Sequence, residues 1–128
     1  MRVLYVDDDR VNSLLFEETC RYAEGIDVQT ADCGAEALEV VAHWKPELLV
    51  IDLNLPDTNG LALLSALRQA LAVPDLPAFL CTADESREVA EQAAQAGFSG
   101  RWVKPVALNE VLAELARRSG GAGKVSAT

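Results

Sequence analysis

Short apolar runs alternate along the chain with longer segments in which apolar residues recur at helical spacing. The apolar runs predict strands, and the longer segments predict helices. The run at residues 48–51 contains no polar residue, which is typical of a strand that is buried on both faces. Strands are therefore predicted at residues 2–6, 26–31, 48–51, 78–81 and 101–103, and helices at residues 11–22, 35–44, 61–71, 85–96 and 108–118.

Five successive strand–helix units indicate an α/β domain, in which a parallel sheet carries helices on both faces. The first helix is predicted from the helical spacing of Val11, Leu14, Leu15 and Cys20. Gly97 follows the fourth helical segment and suits its C-terminal cap.

The length of 128 residues fits one domain, which we place at residues 1–118. Residues 119–128 are small and rich in glycine, so we expect a flexible tail or the stub of a linker there. The formal net charge is -9 and the pI is about 4.5, which argues against direct binding of nucleic acid by this domain.

Neither a membrane span nor a signal peptide is predicted, because no apolar run approaches ~20 residues and no basic leader precedes one. We therefore expect a cytoplasmic protein without a membrane partner. The wide spacing of Cys20, Cys33 and Cys81 does not resemble a zinc or redox motif, so reduced and mostly buried thiols are expected. His43, the only histidine, is interpreted as an ordinary helix residue.

Side chains that can bind ligands or take part in reactions lie where the predicted strands end. In parallel α/β sheets, ligands bind beyond the carboxyl ends of the strands. Asp9 is explained well enough as the N-cap of the first helix, but the other acids at these ends are not. The strand-end residues are Asp7, Asp8 and Asp9 after the first strand, Asp52 at the third, Thr82 at the fourth and Lys104 at the fifth.

The acids at these strand ends predict a bound cation. Carboxylates a few ångströms apart repel by ~4 kcal/mol per pair at an effective dielectric constant of about 20. Lys104 or a divalent ion can offset that repulsion. Because the candidate ligands are hard oxygens, with neither thiol nor imidazole among them, they favour Mg²⁺ over zinc. An open acidic magnesium site of this kind suits phosphoryl transfer.

Four sequence strings carry a resemblance that covers residues 2 to about 117. They are VDDD at the first strand, VIDLNLPDTNGLALL around Asp52, CTAD at the fourth strand and KP at the fifth. In this order and near this spacing, they resemble the landmarks of response-regulator receiver domains of two-component signalling. The resemblance implies a flavodoxin-like, doubly wound sheet of five parallel strands in the order 2-1-3-4-5.

The resemblance also implies a role for each acid. Asp52 matches the phosphoacceptor, which takes a phosphoryl group from the phosphohistidine of a histidine kinase or histidine phosphotransfer protein. Asp8, Asp52 and the backbone carbonyl of Asn54 match the direct ligands of Mg²⁺. Asp7 matches the acid that orients a metal-bound water.

The remaining landmarks match groups that contact the phosphoryl oxygens. These are the Lys104 ammonium, the Thr82 hydroxyl and the Ala83 amide. Phosphorylation is expected to switch the face formed by helix four, strand five and helix five, and so to control a downstream effector protein or a fused output domain. The domain is expected to catalyse only its own phosphorylation and dephosphorylation, so it is not an enzyme acting on other substrates.

Alternatives from other classes remain open at this point. One is a receiver-like interaction module that is not phosphorylated. Another is a haloacid-dehalogenase-type phosphatase, which would explain the D-x-D of residues 7–9 but requires an acidic pair on a further strand after the lysine. A flavodoxin that binds flavin is disfavoured, because three aspartates after the first strand would repel a phosphate.

Strand five departs from the receiver pattern. Receivers carry an aromatic residue three positions before the lysine, where this chain has Arg101. Because a guanidinium resists burial without a partner, we expect Arg101 at the surface, paired with an acid of helix four, such as Glu88 or Glu91, or with a carboxylate of a partner protein. The alternative is a free surface arginine without a role in switching. The resemblance further implies a cis peptide bond between Lys104 and Pro105.

Overall fold

The computed structural model of the chain describes residues 1–104 and 106–120, in which five strands alternate with five helices. The strands are β1 (Arg2–Val6), β2 (Asp27–Ala31), β3 (Leu48–Asp52), β4 (Ala78–Thr82) and β5 (Gly100–Val103). The helices are α1 (Arg10–Arg21), α2 (Gly34–Val41), α3 (Gly60–Leu71), α4 (Arg87–Ala96) and α5 (Leu108–Leu115), and a π-helical turn, Ala116–Gly120, follows α5.

All five strands are parallel and lie in the order β2-β1-β3-β4-β5, as predicted. The order changes direction at β1, where the chain leaves β2 on one side and places β3 on the other. Near the carboxyl edge, Val6 pairs with Ile51, and Asp52 pairs with Cys81. The ends of the three central strands therefore meet at one edge of the sheet, where such folds bind their ligands.

Two apolar layers bury the sheet, one on each face. Strand alternation sends Leu49 and Ile51 of β3 to one face and Leu48 and Val50 to the other. The first layer packs the sheet against α2, α3 and α4, and the second packs it against α1 and α5. Every residue of β3 is buried, as the apolar run at 48–51 indicates.

Helix α1 lies where the helical spacing predicts it, and its apolar residues occupy two faces. Cys20 is buried, and Phe16 joins it in the layer beneath the helix. Val11, Leu14 and Leu15 instead leave 62%, 53% and 52% of their surface exposed. This helix thus carries a second apolar face that points away from the sheet.

Local capping explains where several helices begin and end. Asp9 caps α1 as predicted, because its Oδ1 accepts hydrogen bonds from the amides of Val11 and Asn12 at 2.9 and 3.3 Å. Gly97 ends α4 with a φ of 98°, which a residue with a Cβ rarely adopts. The predicted start of α4 at residue 85 was too early, since Ser86 caps the helix by accepting a hydrogen bond from the Val89 amide.

The helix predicted at residues 35–44 ends earlier, at Val41. The amides of Ala42 and His43 donate to carbonyls only three residues back, which tightens the chain and stops the helix. Pro46 lies shortly beyond, and a proline disfavours the helical conformation of the residue that precedes it.

Two predictions fall wholly or largely outside the described residues. Of the segment 119–128, the structure describes only residues 119 and 120, which close the π-helical turn. The Lys104–Pro105 bond cannot be placed, because Pro105 is not among the described residues. Within those residues, no helix has the length and apolar character that crossing a membrane requires. The three cysteines are free thiols, of which Cys20 and Cys81 are buried and Cys33 is partly exposed.

Candidate functional site

Three carboxylates meet where β1 and β3 end. Asp7 and Asp8 directly follow β1, and Asp52 is the last residue of β3. One carboxylate oxygen from each lies within 4.8 Å of the other two. Asp7 and Asp52 are only 1% and 7% exposed, whereas Asp8 faces solvent. The neighbouring strands β1 and β3 therefore place the two largely buried acids, Asp7 and Asp52, beside the exposed Asp8.

Lys104, which directly follows β5, reaches across the carboxyl edge of the sheet to two of these acids. Its Nζ lies 3.1 Å from Oδ2 of Asp7 and 3.3 Å from Oδ1 of Asp52. The lysine side chain is 22% exposed, so its ammonium is partly withdrawn from water. The positive charge of Lys104 thus lies beside a cluster of three carboxylates.

The Asp7 carboxylate is held by four hydrogen-bond donors of the chain. Its Oδ2 accepts from the Tyr5 hydroxyl at 2.9 Å, from the Lys104 ammonium at 3.1 Å and from the Asn12 side-chain amide at 3.2 Å. Its Oδ1 accepts from the Asp9 backbone amide at 2.9 Å. Since each carboxylate oxygen has about two lone-pair sites, this set saturates Oδ2 and leaves room for one further partner at Oδ1.

The interpretation of the sequence missed Tyr5 and Asn12. A signal for Tyr5 existed, because side chains two residues apart on a strand point to the same face, and Tyr5 precedes Asp7 by two residues. Asn12 lies on the first turn of α1, and no strand or helix period relates it to Asp7. Only the fold brings its amide to the carboxylate.

The electrostatics of the site separate the two buried acids. Burial and the charge of Asp7 raise the pKa of Asp52 to about 6, although Lys104 opposes the shift. Burial acts on Asp7 in the same direction, but hydrogen bonds from the Asp9 amide, Lys104 and Tyr5 outweigh it and lower the pKa of Asp7. Burial disfavours charged Lys104, yet its contacts with both carboxylates raise the pKa of this ammonium. The repulsion between the two carboxylates therefore appears mainly at Asp52, whose pKa is raised, and not at Asp7, whose pKa is lowered.

Thr82 and Ala83 lie at the end of the neighbouring strand, β4. Thr82 is 2% exposed, and its Oγ1 accepts a hydrogen bond from the Asp84 amide at 3.0 Å. Oδ1 of Asp84 in turn accepts from the Ser86 amide at 2.8 Å. These bonds fix the course of the β4–α4 loop, on which Ala83 is exposed.

Asn54 lies on the loop between β3 and α3, which is tied down at several points. The amide of Gly60 donates to the Leu53 carbonyl at 2.8 Å. A Cβ on Gly60 would lie 2.6 Å from the carbonyl oxygen of Asp52, so the close return of the chain at this position requires glycine. The loop therefore packs directly against the end of β3.

The same loop is fastened to the start of α2 by Asp57. Its two carboxylate oxygens accept hydrogen bonds from the amides of Gly34 and Ala35 at 2.8 and 2.9 Å. These bonds lower the pKa of Asp57, as is usual for an acid at a helix N-terminus. The loop that carries Asn54 thus has a fixed position relative to the strand ends.

Arg101 has a different partner from the one predicted. It is partly exposed, and its Nη1 donates to the backbone carbonyls of Asp84 and Ser86 at 3.1 and 3.0 Å. Neither Glu88 nor Glu91 pairs with it. The guanidinium therefore links β5 to the β4–α4 loop, while Trp102 points to the opposite face and stacks on Phe79 with ring centroids 4.6 Å apart.

These residues fit a hard divalent cation. The three acids present carboxylate oxygens at mutual distances that one ion can bridge, and all members of this ligand set are hard oxygen donors. Asp7 already accepts four hydrogen bonds from the chain, so Asp8 and Asp52 offer the less occupied oxygens. The raised pKa of Asp52 reflects its burial and the negative charge of Asp7, and a bound cation would offset both.

Comparison with known proteins accounts for this arrangement. Residues 3–116 match the family model of the response regulator receiver domain. The chain belongs to the response-regulator receiver family. The structure of chemotaxis protein CheY4 from Vibrio cholerae superposes on this receiver with a TM-score of 0.83 at 28% identity, over 91% of this chain and 96% of that one.

Two curated relatives are similar to this chain in sequence. The receiver is 36% identical over 115 residues to the response regulator MprA of Mycobacterium leprae, a match over 90% of this chain and 49% of that protein. It is 38% identical over 109 residues to the protein-glutamate methylesterase/protein-glutamine glutaminase 5 of Myxococcus xanthus, over 84% of this chain and 31% of that protein. The chain thus spans about half, or less, of the length of these relatives.

Family membership and topology dispose of the phosphatase alternative. A haloacid-dehalogenase-type site needs an acidic pair on a strand after the lysine, but the residues described after Lys104 form α5 and the π-helical turn. The chain therefore has the fold of a receiver domain.

The raised pKa of Asp52 makes a prediction about stability in the absence of metal. Its folded-state pKa of about 6 lies above the ordinary unfolded value, so ionised Asp52 lowers stability as the pH rises through this range. We expect Asp52→Asn to stabilise the metal-free protein by on the order of 1–3 kcal/mol at about pH 8 and to have little effect at about pH 4.

Thermal unfolding in EDTA across this pH range measures the effect. Asp75→Asn, at an exposed aspartate before β4, serves as the control and should change the melting temperature little at either pH. A stabilisation by Asp52→Asn of equal size at both ends of the range, or a loss of stability at the alkaline end, would contradict the prediction.

Proposed function

We propose that this receiver is the phosphoacceptor of a two-component system, and that Asp52 takes a phosphoryl group from the phosphohistidine of a histidine kinase or histidine phosphotransfer protein. The observation that supports this most strongly is the environment of Asp52. It ends the central strand, contacts Lys104 at 3.3 Å, and lies within 4.8 Å of oxygens from Asp7 and Asp8. The proposed nucleophile, the Lys104 ammonium and a proposed metal ligand thus lie together at one edge of the sheet.

The reaction requires little covalent chemistry from the protein. An oxygen of Asp52 attacks phosphorus, the P–N bond of phosphohistidine breaks, and the histidine nitrogen keeps the electron pair. Lys104 then pairs with a phosphoryl oxygen, and the Thr82 hydroxyl and Ala83 amide at the end of β4 bind another. Positioning and charge neutralisation of this kind dominate phosphoryl transfer.

Asp8, Asp52 and the Asn54 carbonyl are the proposed ligands of Mg²⁺, which would neutralise charge on the transferring phosphoryl group. Asp7 is assigned an indirect role, the orientation of a metal-bound water, because four donors of the chain already occupy its oxygens. The fastening of the β3–α3 loop by Asp57 and Gly60 supports the assignment of Asn54, since a backbone ligand needs a fixed loop.

The output is proposed to pass through the face formed by α4, β5 and α5. Arg101 joins β5 to the carbonyls of the β4–α4 loop, the loop that also carries Ala83. A rearrangement of this loop around a phosphoryl group would therefore reach β5 through the guanidinium. Both curated relatives extend well beyond the matched region, which supports control of a fused output domain or a separate effector protein. The receiver itself would catalyse only its own phosphorylation and dephosphorylation.

Treatment with acetyl phosphate and Mg²⁺ tests the proposed acceptor. We expect intact-mass measurement to show one phosphoryl adduct, because Asp52 contacts Lys104, ends a buried strand beside the proposed metal site, and is less occupied by hydrogen-bond donors than Asp7. EDTA should prevent the adduct, and Asp52→Asn should abolish it.

The exposed control variant Asp75→Asn should be phosphorylated as the unmodified chain is. An adduct that persisted in Asp52→Asn would refute the assignment of Asp52. A chain that accepted no phosphoryl group under these conditions would instead favour the unphosphorylated interaction module.

The exposed apolar face of α1 is the proposed docking surface for the phosphodonor protein. Val11, Leu14 and Leu15 follow the spacing of one helix face, and the helix begins directly after the acids of the site. Leu14 borders a depression that reaches Asp8, and Leu15 borders a cavity that reaches Lys104. An apolar surface around the donor histidine would therefore seat beside Asp52.

Substitution of this face should separate donor docking from chemistry. We expect Leu14→Ser to lower the rate of phosphoryl transfer from a kinase that phosphorylates the unmodified chain by roughly tenfold, since a leucine buried at an interface contributes about 1.5–3 kcal/mol. Phosphorylation by acetyl phosphate should be unchanged.

Leu38→Ser, at a partly exposed leucine of α2, is the matched control and should leave both rates as they are. Equal loss of kinase-dependent transfer in the two variants would contradict docking on α1. Equal loss of both rates in Leu14→Ser would show that the substitution had damaged the site itself.

A further inference from the structure

Among the described residues, Tyr5 supplies the one hydroxyl that donates to the carboxylate of the buried acid Asp7. It lies on β1 with 4% of its surface exposed, and its O–H donates to Oδ2 of Asp7 at 2.9 Å. Burial raises the pKa of Tyr5 well above its ordinary value, so the phenol keeps its proton and acts as a donor. The contact is therefore a hydrogen bond from a neutral donor to a carboxylate.

The ring of Tyr5 is itself fixed in place. It stacks on Phe16 of α1 with ring centroids 4.4 Å apart and an angle of 13° between the planes. Both rings belong to the apolar layer beneath α1 and α5. Packing of the ring therefore sets the position of the phenol oxygen, from which the O–H reaches Oδ2 of Asp7.

One of the other donors to Asp7, the Lys104 ammonium, differs from Tyr5 in having a second acid as partner. The Lys104 ammonium is shared between Asp7 and Asp52, at 3.1 and 3.3 Å. In the proposed reaction Lys104 turns to the phosphoryl oxygens, so its bond to Asp7 is the one that is given up. The bonds from Tyr5, Asn12 and the Asp9 amide are then left to hold the carboxylate in orientation.

We propose that Tyr5 is a positioning residue of the metal site, whose hydroxyl holds the Asp7 carboxylate in the orientation in which it would accept a hydrogen bond from a metal-bound water. This inference rests on the proposed function, because it concerns the magnesium site assigned there. Hydrogen-bond partners of the acids around a metal commonly change metal affinity by about 10- to 100-fold when they are removed. A purely structural role for this buried phenol would change stability and leave metal affinity alone.

Two variants separate the hydroxyl from the ring. Tyr5→Phe removes the hydrogen bond to Asp7 and keeps the stack on Phe16. Phe16→Leu removes the stack and keeps the hydroxyl of Tyr5. Titration of each purified protein with MgCl₂ by calorimetry, together with thermal unfolding in EDTA, gives metal affinity and stability independently of phosphorylation.

We expect Tyr5→Phe to weaken Mg²⁺ binding by about tenfold. Phe16→Leu should lower the melting temperature while its Mg²⁺ dissociation constant stays close to that of the unmodified chain. Unchanged affinity in Tyr5→Phe would overturn the inference and leave the proposed function intact. Equal weakening in both variants would assign the effect to ring packing and overturn the role of the hydroxyl. An unmodified chain that bound no Mg²⁺ would overturn the proposed metal site and this inference together.

Discussion

Three carboxylates lie at the carboxyl ends of β1 and β3, with one oxygen of each within 4.8 Å of the others. Two like charges about 4 Å apart repel by ~4 kcal/mol at an effective dielectric constant of about 20, and two of these acids are largely removed from water. The chain relieves Asp7 with four donors but leaves Asp52 with a single cationic partner, whose charge is shared. The raised pKa of Asp52 records that imbalance, which makes the site receptive to a cation and to a phosphoryl group held by one.

The topology of the fold places these charged side chains next to one another. Parallel strands deliver their carboxyl ends to one edge, so Lys104 meets Asp7 although 97 positions separate them in sequence. The apolar layers on both faces of the sheet supply the stability that the crowded edge lowers. Gly60 and Asp57 then hold the adjacent loop against the strand ends, where a side chain at position 60 or a loose loop would displace the end of β3.

The sequence predicted the elements and the strand-end residues well, because both follow from local rules of period and strand termination. The strand order came from the resemblance to receivers, since no local pattern specifies which strands become neighbours. Contacts that depend on packing were not predictable in the same way. The exposure of Leu14, the approach of Asn12 to Asp7, and the choice of backbone carbonyls by Arg101 are all set by how helices settle on the sheet. Tyr5 lies between these cases, because strand alternation pointed it toward Asp7 but gave no distance.

The claim that the crowded carboxylates require a cation is tested most directly by the Mg²⁺-induced shift in melting temperature, compared between the unmodified chain and Asp8→Ala. At tenfold excess over the dissociation constant, binding stabilises the unmodified chain by ~1.4 kcal/mol. That corresponds to a rise of roughly 3–6 °C for a domain of this size. Asp8→Ala should melt at a higher temperature than the unmodified chain in EDTA, because one repelling charge is gone, and should show no response to Mg²⁺. An Asp8→Ala variant that kept the full magnesium shift, or an unmodified chain that showed none, would contradict the account.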